Sequence, residues 1–128
     1  MKIRTIINFL YKFKIFKRTV PTLLKVMVKF FYINEIKVVH NNLIFLLNPK
    51  NPIDREIYLK DKYEDDQITF LKKKIDENRI KIFIDIGAHM GFYSINLSKK
   101  KLDIYAFEPI VENFNQIKKN ILINKIYN

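Results

Sequence analysis

The chain has 128 residues, 48% of them hydrophobic, and a formal net charge of +11. Its size and apolar content favour one modest domain with a buried core and argue against disorder. The absence of cysteine excludes disulfides and thiolate metal sites and favours a reducing, cytoplasmic location. Because the two histidines, His40 and His89, lie far apart in the sequence, we expect no protein-built metal site.

The positive charge is concentrated at the N-terminus. Residues 1–34 contain eight lysines and arginines and no acidic residue before Glu35. Elsewhere lysine is frequent together with isoleucine and asparagine, while alanine and glycine occur only twice each. That spread indicates a compositional bias more than a selected surface, so we expect no nucleic-acid partner.

Residues 1–34 form a basic amphipathic segment, in which Pro21 is expected to divide the apolar stretch. No apolar run approaches the roughly 20 residues of a membrane-spanning helix, and no small-residue cleavage site follows. Three interpretations remain open. The segment is an amphipathic helical pair packed on the protein, or residues 1–32 lie on an anionic membrane surface, or it is a cleaved targeting peptide.

Residues 35–79 are predicted to form a β-hairpin and a lead-in helix. The runs Ile36–His40 and Leu43–Leu47 flank Asn41-Asn42, and asparagine tolerates the left-handed backbone of a two-residue hairpin turn. After a proline-rich break, apolar residues fall three and four apart between Asp65 and Asn78, which predicts a helix.

Residues 80–128 are predicted to alternate strand and helix. Ile80–Ile86 is a nearly continuous β-branched and aromatic run, typical of a strand buried on both faces of a parallel sheet. A short helix is expected over Ser94–Lys99, a second strand over Asp103–Phe107, and a helix from Pro109 with an apolar face. This order predicts an α/β fold with an open parallel sheet. The apolar face of the last helix comprises Ile110, Phe114, Ile117 and Ile121.

The only two glycines, Gly87 and Gly91, lie in the turn after the first of these strands. Glycine there admits positive φ and lets a ligand approach the backbone, and the following helix start offers N–H groups to an anion. Glu108 ends the second strand, where a carboxylate can accept hydrogen bonds from both hydroxyls of a ribose.

The spacing in this turn favours a methyl donor over a dinucleotide. The dinucleotide fingerprint requires glycine at positions 85, 87 and 90, where this chain has Asp85, Gly87 and Met90. A carboxylate at position 85 would repel a pyrophosphate, whereas it would attract the ammonium group of S-adenosylmethionine. We therefore expect S-adenosylmethionine as the cofactor.

Four segments, Phe83–Ser94, Ile104–Pro109, Asn113-Phe114 and Lys119–Asn124, together resemble the FkbM family of methyltransferases, and Tyr63-Glu64 resembles that family's lead-in. The resemblance implies a seven-stranded class I methyltransferase (Rossmann-like) fold and methyl transfer to hydroxyl groups of glycans or small molecules. It also implies that one loop surrounds the methionine portion of the donor and that Glu108 holds the ribose. That loop comprises Asp85, Gly87, Ala88, His89 and Gly91, and the family commonly has asparagine at the position of His89.

Structural alternatives remain for these residues. The two glycines could serve only strand–helix packing, and Asp85 could cap the following helix. His89 is expected to be a loop residue rather than a catalytic base. Tyr63 and Glu64 suit either a helix start or a cofactor contact.

Residues 80–128 are thus expected to be the first half of the donor-binding domain, since the sequence offers no candidate for the family's third to seventh strands. The acceptor pocket and any catalytic base would belong to the missing part, so no catalytic residue is assigned. We expect a fragment of an enzyme. The alternatives are a non-enzymatic remnant, one half of a split protein that needs a complementing C-terminal chain, or a basic membrane-surface module.

Overall fold

The computed structural model describes residues 2–60 and 62–127. In this part of the chain six α-helices and two two-stranded sheets form a mixed α/β protein. The chain divides into two compact units. The first unit comprises Met1–Val38 and Leu47–Tyr63, and the second unit comprises Val39–Leu46 and Glu64–Asn128.

The first unit contains three helices, α1 (Lys2–Tyr11), α2 (Phe16–Phe30) and α3 (Pro52–Leu59). Its buried centre consists of Leu24, Val28 and Leu59, against which further apolar side chains of the three helices pack. Arg4 of α1 donates hydrogen bonds to the carbonyl oxygens of Tyr58 (3.1 Å) and Ile57 (3.4 Å). A guanidinium at this end of α3 satisfies carbonyls that have no partner within the helix.

The predicted division of the N-terminal segment at Pro21 is wrong. Pro21 lies inside α2, and the break between α1 and α2 falls at residues 12–15. The missing N–H of Pro21 removes one helical hydrogen bond. α2 nevertheless continues to Phe30, because Leu24 and Val28 are buried in the core of the first unit. None of the helices in the described part of the chain is long and apolar enough to cross a membrane.

The predicted hairpin is confirmed, with β1 (Ile36–His40) and β2 (Leu43–Leu47) as its strands. Asn41 and Asn42 have φ values of 51° and 60°. A two-residue turn with two left-handed residues matches the twist of the strands, and asparagine pays little for that backbone. The tip of this hairpin belongs to the second unit.

The rest of the second unit contains α4, two strands and two further helices in alternation. The predicted helix from Asp65 is confirmed as α4 (Asp65–Glu77), which ends before Asn78. Strand, helix, strand and helix then follow in the predicted order, as β3 (Ile82–Ile86), α5 (Phe92–Leu97), β4 (Asp103–Phe107) and α6 (Val111–Ile123). β3 and β4 are parallel, with Ile82 opposite Asp103 and Ile86 opposite Phe107.

The expectation that β3 is buried on both faces is wrong. Helix side chains pack on one face of the sheet, where Ile75 and Leu97 contact Phe83 and Ile104. On the other face Ile82, Ile84 and Ile86 are exposed, together with Tyr105 and Phe107 of β4, and Ile86 is 84% exposed. Burial of both faces requires helices on both sides of a sheet, and the described helices cover only one.

The apolar face predicted for α6 is only partly buried. Ile117 is buried, whereas Ile110 and Phe114 are exposed. The face that packs instead carries three amides spaced four residues apart, Gln116, Asn120 and Asn124.

These three amides bind the outer edge of β2. Asn124 accepts from the N–H of Ile44 (2.8 Å) and donates to its carbonyl oxygen (2.6 Å). Asn120 accepts from the N–H of Leu46 (2.7 Å), and Gln116 donates to the carbonyl oxygen of Leu46 (2.8 Å). A helix thereby provides the hydrogen bonds that a neighbouring strand would otherwise provide, which protects an open sheet edge.

Candidate functional site

The glycine-containing loop, residues 87–91, lies where β3 and β4 both end. The backbone N–H groups of Gly87 and Ala88 donate to the carbonyl oxygen of Phe107, at 2.9 Å and 3.0 Å. The loop after one strand is therefore tied to the end of its parallel neighbour. Ligands of open α/β sheets generally bind at these carboxyl ends of the strands.

Glu108 holds this loop in place. Its Oε2 accepts from the backbone N–H of His89 at 2.8 Å, and its Oε1 accepts from the N–H of Ile110 (2.9 Å) and from the side-chain amide of Asn113 (3.3 Å). Partial burial raises the pKa of Glu108, but these three hydrogen bonds, together with a smaller electrostatic contribution from His89, outweigh that effect and leave the pKa below its ordinary value. An ionised carboxylate thus joins the ends of both strands.

The two glycines of the loop have different surroundings. Both have left-handed backbones, with φ of +76° at Gly87 and +85° at Gly91. A Cβ added at Gly87 would meet nothing within 4 Å, whereas one added at Gly91 would lie 3.1 Å from Cδ1 of Ile95 and 3.5 Å from Ile117. Gly91 is therefore a packing residue at the start of α5, and Gly87 faces open space that a ligand can enter.

His89 also has a left-handed backbone, with φ of 54°. This is a conformation that asparagine, aspartate and histidine adopt more readily than other non-glycine residues. The N–H of His89 donates to Glu108. Backbone geometry therefore explains the residue type at this position without any catalytic role for the imidazole.

Asp85 is a buried helix cap. Its Oδ2 accepts from the backbone N–H of Ser94 (3.2 Å) and from the hydroxyl of Ser94 (2.6 Å), in the first turn of α5. The expectation that this helix start offers its N–H groups to an anion fails at Ser94, because Asp85 already occupies that N–H. A carboxylate beside the N-terminus of a helix also interacts favourably with the helix dipole.

Asp85 also lines an open cleft of about 680 Å³ between α4 and β3. The cleft wall contains a second carboxylate, Asp66, and the rings of Phe70 and Tyr93. Two acids beside two aromatic rings suit a cationic group. The hydroxyl of Tyr93 donates to Glu64 at 2.6 Å, which fixes the ring at the edge of the cleft.

The structure thus brings Asp85, Gly87, His89 and Glu108 to one end of the parallel strands, but only Asp85 among them lines the cleft. Ala88 and Gly91 are buried. The N–H of Ala88 donates to the carbonyl oxygen of Phe107, and the N–H of Gly91 donates to the carbonyl oxygen of Ala88. Among the described residues no cluster of His, Cys, Asp or Glu is suited to a metal ion.

Sequence reasoning missed the cleft residues Asp66, Phe70 and Tyr93, and it missed Asn120, which donates to the carbonyl oxygen of Met90 in the loop at 3.0 Å. The four-residue spacing of amides in α6 is a signal that could have identified Asn120. No sequence signal points to Asp66 or Phe70, because their place in the cleft depends on how α4 packs beside β3.

Comparison of the chain with protein-family models, curated proteins and solved structures finds no match in any of the three. The chemistry of the site must therefore be argued from its own residues.

Proposed function

We propose that the second unit binds S-adenosylmethionine and that the chain is the donor-binding part of an O-methyltransferase of FkbM type. The acceptor would be a hydroxyl group of a glycan or a small molecule. In this proposal β3 and β4 are the first two strands of a class I, Rossmann-like methyltransferase sheet. The observation that carries the proposal is a glycine loop between parallel strands, held by Glu108 and adjoining a cleft lined by Asp85.

The residues present fit the donor. The open space at Gly87 allows close approach to the backbone. Asp85 provides a negative charge for the ammonium group of the methionine portion. Oε2 of Glu108 accepts one hydrogen bond, from His89, so it retains capacity for a ribose hydroxyl. The same Asp85 disfavours the pyrophosphate of a dinucleotide.

The donor, when bound, supplies an electrophilic methyl group on a sulfonium. The residues of this chain bind and orient it: Asp85 and the loop backbone hold the methionine portion, and Glu108 holds the ribose. Transfer to a hydroxyl oxygen requires mainly an in-line approach at close distance. The acceptor pocket, and any general base that removes the hydroxyl proton, are assigned in this proposal to a complementing segment.

The uncovered face of the sheet supports such a segment. Ile82, Ile84 and Ile86 and the two aromatic residues of β4 form a contiguous exposed apolar face, and soluble proteins rarely leave a patch of this kind unpaired. A complementing chain that supplies further strands and helices would cover it. One half of a split methyltransferase is therefore the second candidate, and it shares the same donor site.

Isothermal titration calorimetry of the chain with S-adenosylmethionine tests the donor assignment. Glu108→Ala is expected to weaken donor binding at least tenfold, since a lost hydrogen bond to a charged group costs about 1.5–3 kcal/mol. His89→Asn preserves the loop backbone and should change affinity much less. NAD is the control ligand and should not bind. Equal donor affinity for Glu108→Ala and the parent chain would overturn the ribose assignment.

A further inference from the structure

The two units differ sharply in charge. The first unit contains thirteen lysines and arginines against four acidic residues, a net charge of +9, whereas the second contains eleven against nine, a net charge of +2. A compositional bias towards lysine explains why both units contain many basic residues. It does not explain why acidic residues are scarce in the first unit, and this scarcity indicates a surface that meets an anionic partner.

The solvent-facing side of α1 is apolar. Ile6 and Phe9 lie three residues apart on α1, and Phe13 follows in the break after the helix; all three are about half exposed or more. The rings of Phe9 and Phe13 contact each other edge to face, with centroids 5.3 Å apart. The opposite side of α1 carries Ile7 and Tyr11, which pack against the core of the first unit.

α2 likewise has a second apolar side in addition to its buried one. Leu24 and Val28 are buried. Leu23, Met27 and Phe30 are more than half exposed, and their spacing of four and three places them together on one face of the helix. A surface helix of a soluble protein normally has one apolar stripe, and its outer face is polar. Both helices therefore expose apolar area that the first unit itself does not cover.

Basic side chains accompany these apolar ones. The exposed cations of this region are Lys12, Lys14, Lys17, Arg18, Lys25 and Lys29. Lys25 and Lys29 also line a cavity of about 330 Å³ whose other walls include Val28, Lys50 and Arg55. Arg55 donates to the carbonyl oxygens of Pro49 and Lys50 at 3.0 Å and 2.9 Å, so the rim of this cavity is held in place.

We propose that the solvent-facing side of α1 and α2 is a docking surface for an anionic phospholipid bilayer. Exposed aromatic and aliphatic side chains insert at the boundary between headgroups and acyl chains. The lysines of residues 12–17, which alternate in the sequence with the exposed Phe13, Ile15 and Phe16, contact the lipid phosphates. A nucleic acid would use the cations but would leave Ile6, Leu23 and Met27 without apolar partners. The proposal concerns the first unit and does not depend on donor binding by the second.

Vesicle flotation of the full chain tests this proposal, because lipid-bound chain floats and aggregated chain sediments. The vesicles are phosphatidylcholine alone, or phosphatidylcholine with phosphatidylserine. We expect flotation with the anionic vesicles, little with the neutral ones, and a marked decrease when salt is raised.

Two pairs of matched variants separate the contributions of charge and apolar insertion. Lys14→Gln with Lys17→Gln should weaken partitioning to anionic vesicles about fivefold for each lysine, whereas Lys99→Gln with Lys101→Gln, exposed residues of the second unit, should not change it. Phe30→Gln should weaken partitioning about tenfold.

Leu122→Gln is the control for Phe30→Gln. Leu122 is 69% exposed and Phe30 is 75% exposed, and Leu122 belongs to the second unit. Circular dichroism of each variant verifies that its helices are retained. The proposal is overturned if neutral and anionic vesicles float the chain equally, if the first-unit variants behave like their controls, or if the chain binds an oligonucleotide but neither kind of vesicle.

Discussion

Substituting alanine for each loop glycine in turn distinguishes packing from ligand access. In both variants a side chain must adopt a left-handed backbone, which costs about 1–2 kcal/mol. Gly91→Ala adds a contact of 3.1 Å with Ile95 and two of 3.5 Å with Ile117, and overpacking of this kind costs about 1–3 kcal/mol more. Gly87→Ala adds no contact within 4 Å.

We therefore expect Gly91→Ala to lower the free energy of unfolding by about 2–5 kcal/mol, against about 1–2 kcal/mol for Gly87→Ala. Urea unfolding followed by circular dichroism measures both values. Donor affinity should follow the opposite order among the folded molecules, since only the methyl group at position 87 projects into the open space. Equal losses of stability would refute the division of roles between the two glycines.

Three further predictions concern the residues that hold the loop. Asn120→Ala should lower the free energy of unfolding by about 2–5 kcal/mol, because the partly buried N–H of Leu46 and the buried carbonyl of Met90 both lose a partner; a loss below about 1 kcal/mol in urea unfolding would contradict this. Glu108→Gln should lower the melting temperature at pH values above about 4.5, the ordinary pKa of this group, because the ionised carboxylate stabilises the folded parent there. The parent loses this stability as pH falls through the lowered pKa of the folded state, so the melting temperatures of the two proteins should converge in acid. His89→Asn should leave the melting temperature unchanged or raise it, because asparagine tolerates the left-handed backbone well, and a marked decrease would show that the imidazole itself is needed.

The elements of the fold were largely predictable, because local signals determine them. The hairpin follows from two asparagines between β-branched runs, and its strands have the predicted bounds, as does the strand Asp103–Phe107. The order of strands and helices after residue 80 follows from the change of apolar spacing along the chain. The expected proline break was wrong because the packing of Leu24 and Val28 in the first unit supports α2 on the C-terminal side of Pro21.

What could not be predicted depends on contacts between distant residues. An apolar run such as Ile82–Ile86 reads the same whether one face or both faces are covered, and only the position of the helices decides. The amides of α6 bind β2, seventy to eighty residues earlier in the sequence. For the site, sequence placed Gly87 and Glu108 near each other, but it did not separate the packing role of Gly91 from the open space at Gly87.

The central claim is that S-adenosylmethionine binds at the loop after β3, and the composition of the chain offers a direct measurement. The chain contains two glycines, both in this loop, so a chain labelled with ¹⁵N-glycine gives two backbone glycine signals in its NMR spectrum. Titration with S-adenosylmethionine is predicted to move the Gly87 signal more than that of the buried Gly91, and NAD should move neither. In Glu108→Ala the same movement should require at least about tenfold more donor. Two dispersed glycine signals that do not move at millimolar donor, or that respond equally to NAD, would contradict the account.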